Sequence, residues 1–405
     1  MTSKGWQINC LDIQAAYLQG QPLSRTTYLR PPPEANNEGE LWKLQKAVYG
    51  LGDGGRNWYL RVENEIKKMD AKKSKYDTAT FMWYDNEQLL IGIIAGHVDD
   101  FIWGGTKEFE NTIVGPLTQT FNISKKAFDH FQYLGLEVKQ NMNMTTINQT
   151  AFADEMKELE FEVTKGKNEE LNESEKKQLR SFIGKLQWLS SQTRPDLSYS
   201  ACELSVEFSE ATIGTIHKAN KIVRQIKYQN VKLKISKLKD VSKCRILCFS
   251  DASLNNLPRV GSQIGYIICV ADEKLAIPVV WKSARAKRIV RSSNAVECLA
   301  LSEAAGNAYY IRMVLAEIVN IPPESIDIIC YTDNRNLFES VNSTHSVSDA
   351  RTYIDIAELR DKIEKNEITK LDWVPSEKQV ANALTKQGAS SVSLLNLMES
   401  NKLNF

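Results

Sequence analysis

Through the first 145 residues, short alternating or continuous apolar runs are bounded by turn residues. They predict strands at GWQINCLDI, ELWKLQ, TATFMWYD, LLIGIIAGHVDDFIW and HFQYLGLEVKQ. A helical period intervenes over 56–69, so this part reads as an α+β unit. Between roughly 150 and 240 the pattern turns helical. NESEKKQLRSFIGKLQWL opens on Asn172 and Glu175 at capping-box spacing and carries Leu179, Phe182, Ile183, Leu186 and Leu189 before TRPD at Thr193 ends it. Over 216–227, Ile216, Ala219, Ile222, Val223 and Ile226 fall within about 120° on a helical wheel, with Lys218, Lys221, Arg224 and Lys227 on the other side. After Asp240 the order is strand (CRILCFSDAS), strand (SQIGYIICVAD), strand (IPVVWKSA), long helix over 294–319, strand (IDIICYTDN), helical segments, strand (ITKLDWV) and a last helix near Ala381. That succession predicts a mixed sheet with helices.

Composition narrows the class without naming a partner. A chain of 405 residues with 42% hydrophobic content has room for two or three buried cores. Lys and Arg total 51 against 50 Asp and Glu, so any basic surface is local. One such surface is the interval between Glu210 and Asp240, with eight Lys or Arg and no acid. It suits a phosphate backbone, or is simply a solvated basic helix. Seven cysteines without a C-x-x-C pair suggest reduced thiols. The N-terminus lacks an apolar leader core and no run reaches the ~18 apolar residues of a membrane helix. These features predict an intracellular protein.

The stretch GHVDDFIWGG drops Asp99 and Asp100 into an apolar run. Two carboxylates there make a polar turn tip, or they share a cation that relieves their mutual repulsion. The motif logic recurs. Asp12 ends one predicted strand, Asp251 ends another in FSDAS, Glu297 lies on the long helix in AVECLAL, and Asp333 ends a strand in CYTDN. Hard oxygen donors without nearby His or Cys suit Mg²⁺ or Mn²⁺, and paired hard cations are a common device for phosphoryl chemistry. Taken singly, each acid also reads as a cap, a turn or a solvated group.

LDIQAAYLQG, YLRPPPE, LWKLQKAVYGL, GGRNWY, HVDD, FQYLGLEV and TRPDLSYSACELS, in that order, resemble the reverse transcriptase of copia-type LTR retrotransposons. FSDAS, SSNAVECLAL, YTDN and DWVPSEKQVANALTK resemble the ribonuclease H domain that follows it in such Pol polyproteins. The resemblance implies a multi-domain α+β and α/β chain. It would consist of a right-hand polymerase palm with partial fingers over 1–145, a thumb and basic connecting helix over 146–240, a ribonuclease H-like mixed sheet flanked by helices over 241–390, and a tail over 391–405. It further implies two-metal phosphoryl transfer at each of two sites, with Mg²⁺ or Mn²⁺ as cofactor. The implied partners are an RNA template, a DNA primer, an RNA–DNA hybrid and dNTPs, with other segments of the same polyprotein (fingers, integrase) beside them.

Carried over residue by residue, the resemblance makes Asp12 and Asp99 principal polymerase metal ligands and Asp100 auxiliary. Tyr17 matches the gate against a nucleotide 2′-hydroxyl, and Gly50 through Arg56 matches the segment under the incoming nucleotide. Phe131 to Val138, with Tyr133 and Gly135, matches the primer grip. Asp251, Glu297 and Asp333 match the nuclease metal ligands, and WKSARAKRIVR supplies Arg285, Lys287, Arg288 and Arg291 for hybrid phosphates.

Three departures accompany the match. Only eleven residues precede Asp12, where the family has its fingers and triphosphate clamp. Asn382 stands where the family has a fourth nuclease acid, and a neutral amide binds Mg²⁺ more weakly; Glu377 is a candidate replacement. His97 replaces an aromatic residue before VDD, and Gly54 and Gly55 predict a looser Gly50 loop. Three functions therefore compete: an enzyme with polymerase and nuclease sites, a non-catalytic remnant that binds hybrid or single strands, and a nuclease-only hydrolase that would need Asn382 to be tolerated.

Overall fold

The computed structural model describes residues 1–35, 39–162, 164–257, 261–343 and 349–403. They divide into two compact units, Ser3–Leu134 with Ile318–Asn320, and Gly135–Glu317 with Ile321–Phe405. No helix among the described residues is long and apolar enough to cross a membrane.

In the first unit β1 (Asn9–Ile13) is followed by the short pair β2 (Tyr28–Leu29) and β3 (Trp42–Lys43), then α1 (Gly54–Lys67). Next come β4 (Lys72–Lys73), β5 (Thr80–Tyr84), β6 (Leu90–His97), β7 (Asp100–Gly105), α2 (Lys107–Phe109), α3 (Gly115–Thr120), β8 (Ile123–Phe128) and β9 (His130–Tyr133). Six of these strands form an antiparallel sheet ordered β4-β5-β6-β7-β1-β8. Trp58, Val62 and Ile66 recur every four residues on α1, so one face of the helix buries against Phe81, Ile94 and Phe101 of the sheet. Gly54 and Gly55 are the first two residues of that helix, not part of a loosened loop. The strand β8 was not expected, because ISKKAF presents adjacent lysines instead of alternation.

The second unit opens with the antiparallel strands β10 (Leu136–Asn141), β11 (Met144–Asn148) and, after four helices, β12 (Leu233–Ser236). Those helices are α4 (Thr150–Asp154), α5 (Glu173–Gln192), α6 (Ser198–Glu207) and α7 (Ile213–Tyr228). The capping box at the head of α5 is formed: Asn172 accepts from the Glu175 N–H while Glu175 accepts from the Asn172 N–H. The predicted faces of α5 and α7 meet, burying Leu179, Phe182, Leu186, Ile216, Val223 and Ile226 in one core. Full burial of side chains of this size stabilises by about 1.5–3 kcal/mol each.

Next comes a five-stranded sheet ordered β15-β14-β13-β16-β17, from β13 (Arg245–Leu257), β14 (Gly261–Ala271), β15 (Ala276–Arg285), β16 (Ile328–Thr332) and β17 (Lys370–Trp373). The first three pair antiparallel, while β13, β16 and β17 run parallel. Around the sheet lie α8 (Ser293–Val319), α9 (Arg335–Asn342), α10 (Ala350–Glu364) and α11 (Val392–Ser400). Leu301, Ala304, Ala305 and Ala308 share a core with Ile246, Cys248 and Cys330 of the strands, and the small residues let α8 approach closely. The last helix is not at Ala381. Val380–Leu384 forms only a 3₁₀ turn, and α11 lies in the expected tail, burying Leu394, Leu397 and Met398. Its apolar spacing had been legible, but it follows a Gly-Ala-Ser-Ser turn that reads as a chain end.

Candidate active sites

Parallel pairing of β13 with β16 places Cys248 opposite Cys330 and Phe249 opposite Tyr331. Two residues further on, the same register brings Asp251 and Asp333 to the same edge of the sheet. Glu297, in the second turn of α8, completes a group: one carboxylate oxygen from each of Asp251, Glu297 and Asp333 lies within 4.8 Å of the others. Asp251 is 0% exposed and Glu297 only 7%.

Burial pushes the Asp251 carboxyl above its ordinary range and the Asp333 charge adds to this, opposed by Lys386 and Thr385. Burial likewise drives Glu297 well above its ordinary value, reinforced by the charges of Asp251 and Asp333. Glu297 Oε2 has no hydrogen-bond partner among the described residues. Three converging hard-oxygen donors, with a buried orphan oxygen among them, fit a divalent cation.

The segment after the 3₁₀ turn is pressed onto Asp251. Register pairs Asp251 with Gly265, where a Cβ would lie 2.7 Å from both Leu384 Cβ and Thr385 Cγ2, so only glycine admits this approach. Ser283 Oγ donates to Leu384 O at 2.6 Å, Asn256 Nδ2 donates to Thr385 O at 2.7 Å, and Thr385 Oγ1 donates to Asp251 Oδ2. Lys386 Nζ stands 3.3 Å from Asp251 Oδ1 and 2.9 Å from Asn382 Oδ1. Asn382 also donates from Nδ2 to Ser376 O at 2.6 Å. Asp333 Oδ2 accepts from Ser376 Oγ at 2.6 Å. Gly265, Thr385 and Lys386 escaped the sequence reading, since nothing local in ANALTK marks it as lying against a strand over a hundred residues away.

In the first unit the paired strands β1 and β7 set Asp12 directly opposite Asp100, and the Ile13 N–H donates to Asp99 O at 2.9 Å. Burial and the charges of Asp99 and Asp12 push the Asp100 carboxyl up. The GHVDDFIWGG stretch is a two-residue hairpin turn, His97 pairing with Asp100. Its first turn residue, Val98, has φ +57°, a left-handed conformation that a β-branched side chain adopts only under constraint. Trp58 Nε1 donates to Val98 O at 2.5 Å and holds it there. Asp12 Oδ2 accepts from Ser124 Oγ, and Asp99 Oδ2 accepts from Tyr49 OH at 3.5 Å.

Tyr49 is a further residue the sequence reading missed. Its ring lies 4.5 Å from that of Tyr17, while Gly50 beside it has φ +100°, which favours glycine. Arg56 is exposed in the first turn of α1. Burial and the Asp100 charge push the Tyr133 hydroxyl up to about 12. Gly135 lies in a turn with φ +74°.

The expected basic face of α7 is partly neutralised: Lys218 Nζ pairs with Glu207 at 2.5 Å and Glu203 at 3.6 Å, and Arg224 pairs with Glu158 at 2.9 Å. Lys221 and Lys227 are exposed on the same helix. In and after β15, Lys282 pairs with Glu303 and Arg288 with Asp355, while Arg285 is half-buried and Lys287 and Arg291 are exposed.

The family model described as reverse transcriptase (RNA-dependent DNA polymerase) matches residues 1–171. A retrovirus-related Pol polyprotein from transposon RE1 of Arabidopsis thaliana is 24% identical, the match covering 95% of this chain and 26% of that protein. The transposon Ty1-NL2 Gag-Pol polyprotein of Saccharomyces cerevisiae is 23% identical across 94% of this chain and 23% of its own length. Residues 1–171 thus resemble a reverse transcriptase, and nearly the whole chain is similar to a region of retrotransposon Pol polyproteins. It spans about a quarter of the length of these relatives. The solved foamy viral protease-reverse transcriptase in complex with RNA/DNA hybrid superposes with a TM-score of 0.53 at 12% identity, covering 95% of this chain and 46% of that one. At that identity the likeness is one of fold, and the mixed α+β architecture is consistent with a reverse transcriptase followed by an RNase H-like fold. These families generally work with divalent metals, and the acidic triad of the second unit is in keeping with that.

Proposed function

We propose that the second unit hydrolyses the RNA strand of an RNA–DNA hybrid at Asp251, Glu297 and Asp333. The observation that carries this reading is the buried triad, with Glu297 Oε2 unpartnered inside it. Mg²⁺ or Mn²⁺ held there would supply positive charge to the phosphate and lower the pKa of an attacking water. The protein's own part is preorganisation. Ser376 fixes Asp333, Thr385 fixes Asp251, and the β13–β16 register fixes their separation. Lys287 and Arg291, with Arg285, supply positive charge for hybrid phosphates.

The first unit serves template-directed DNA synthesis in this reading, with Asp12, Asp99 and Asp100 as the acids and an RNA template, a DNA primer and dNTPs as substrates. Tyr17 and Tyr49 form an aromatic platform beside Asp99 that suits a nucleotide sugar, and Tyr133 with Gly135 suits the primer strand. Fingers or integrase segments of the same polyprotein are expected neighbours. A second reading, hybrid binding without cleavage, is favoured by one observation: an amide at 382 and an ammonium on Asp251 where the family has an acid.

A single assay decides between them. A labelled hybrid is incubated with the full chain and Mg²⁺ or Mn²⁺, beside Asp251→Asn and Asp99→Asn. Cleavage lost in Asp251→Asn and kept in Asp99→Asn is expected; binding without cleavage by the unaltered chain would favour the second reading.

A further inference from the structure

The residue that reaches the nuclease acids from the 382–386 turn is a cation. Lys386 Nζ bridges Asp251 Oδ1 at 3.3 Å and Asn382 Oδ1 at 2.9 Å, on the opposite side of Asp251 from the hydroxyl of Thr385, which takes Oδ2. Its side chain is partly exposed, but its ammonium is held between two partners. The backbone beneath it is pinned by Ser283, Asn256 and the close approach at Gly265, so the lysine stem starts from a fixed point beside a fully buried carboxylate.

We propose that Lys386 is a built-in cation that, together with the neutral amide of Asn382, closes the Asp251–Asn382 side of this site, so that the triad binds one divalent ion instead of two. The inference rests on the nuclease reading above and deepens it. Charge counting supports it: three carboxylates and one ammonium leave a net charge of minus two, which one divalent ion neutralises and a second would overshoot. Ligand chemistry agrees. Asn382 offers a neutral oxygen already occupied by Lys386, so a second ion there would find only one oxygen of Asp251, itself shared with the ammonium. Glu297 Oε2 lies within the triad, available to the single ion. Lys386 is thereby a positioning residue: it holds Asp251 and removes a binding position.

The test counts bound Mn²⁺ by electron paramagnetic resonance on the full chain, in an Asp12→Asn/Asp99→Asn background so that only the nuclease site is read. Asp251→Asn subtracts the remaining nonspecific ions. The expected count is one Asp251-dependent ion. Lys386→Met keeps the count at one and tightens it by about tenfold, a Coulomb effect moderated because the lysine side chain is 44% exposed. Lys386→Arg restores the original affinity, and Asn382→Asp with Lys386→Met raises the count to two. Far-ultraviolet circular dichroism confirms that each variant is folded. Two Asp251-dependent ions with Lys386 in place, or an affinity unmoved by Lys386→Met, would overturn the proposal while leaving the metal-site reading intact. No Asp251-dependent ion at all would overturn both.

Discussion

The two sets of acids solve the same electrostatic problem in opposite ways. In the first unit Asp99 and Asp100 sit at a hairpin tip, each half-exposed, and the constraint is conformational, stored at Val98 with φ +57°. In the second unit Asp251 and Glu297 are buried against a sheet and an α-helix, and the constraint is electrostatic: like charges held close together with an unpartnered oxygen among them. Solvent reaches the first set, so its mutual repulsion is partly screened, although burial and the charges of Asp99 and Asp12 still push Asp100 up. The second set, with only Lys386 opposing three carboxylates, is destabilising until further positive charge or protons arrive.

The contrast is most sharply broken by charge removal at each site. Asp251→Asn is expected to lower hybrid cleavage by about 10³-fold or more and leave primer extension unchanged, with Asp99→Asn doing the reverse. Parallel gel assays of the two activities would show it. Next in size is Gly265→Ala. A methyl group forced to 2.7 Å from Leu384 and Thr385 should cost about 1–3 kcal/mol in chemical denaturation and cut cleavage along with it.

Glu297→Gln, in chelator, should move the other way. Loss of a buried, repelled charge is expected to raise the melting temperature by a few degrees, on the order of 1 kcal/mol, while cleavage falls. The pH dependence has the matching sign. The folded values of Asp251 and Glu297 are raised above those of the unfolded chain, so their contribution is fully present below the ordinary carboxylate range. It is lost as pH rises through the raised values. Thermal melts in chelator should therefore fall with pH across that window, and less so in Glu297→Gln. The smallest effect is at the hairpin tip: Val98→Gly should relieve about 1 kcal/mol of backbone strain and reduce primer extension, the turn no longer holding Asp99 in place.

What was legible from sequence was what is local. The α5 capping box and the apolar faces of α5 and α7 recur at helical spacing, and both formed as read. The acids were legible because motifs placed them at strand ends. Side-chain partners were not. The acids that neutralise Lys218 and Arg224 come from α6 and the segment after α4, and Lys386 meets Asp251 only because Gly265 lets two remote segments touch. The strand β12 was hidden for a different reason: KLKIS alternates as a strand should, but its lysines belong to a longer basic run that reads as helix and linker.

The central claim is that the triad of the second unit is built for a divalent cation. It is tested most directly by the melting temperature of the full chain, in an Asp12→Asn/Asp99→Asn background, in chelator and in Mn²⁺, compared between the protein with the triad intact, Glu297→Gln and Asp251→Asn. The account predicts that Mn²⁺ raises the melting temperature of the protein with the triad intact and has little effect on either variant. An equal Mn²⁺ shift in all three proteins would contradict it.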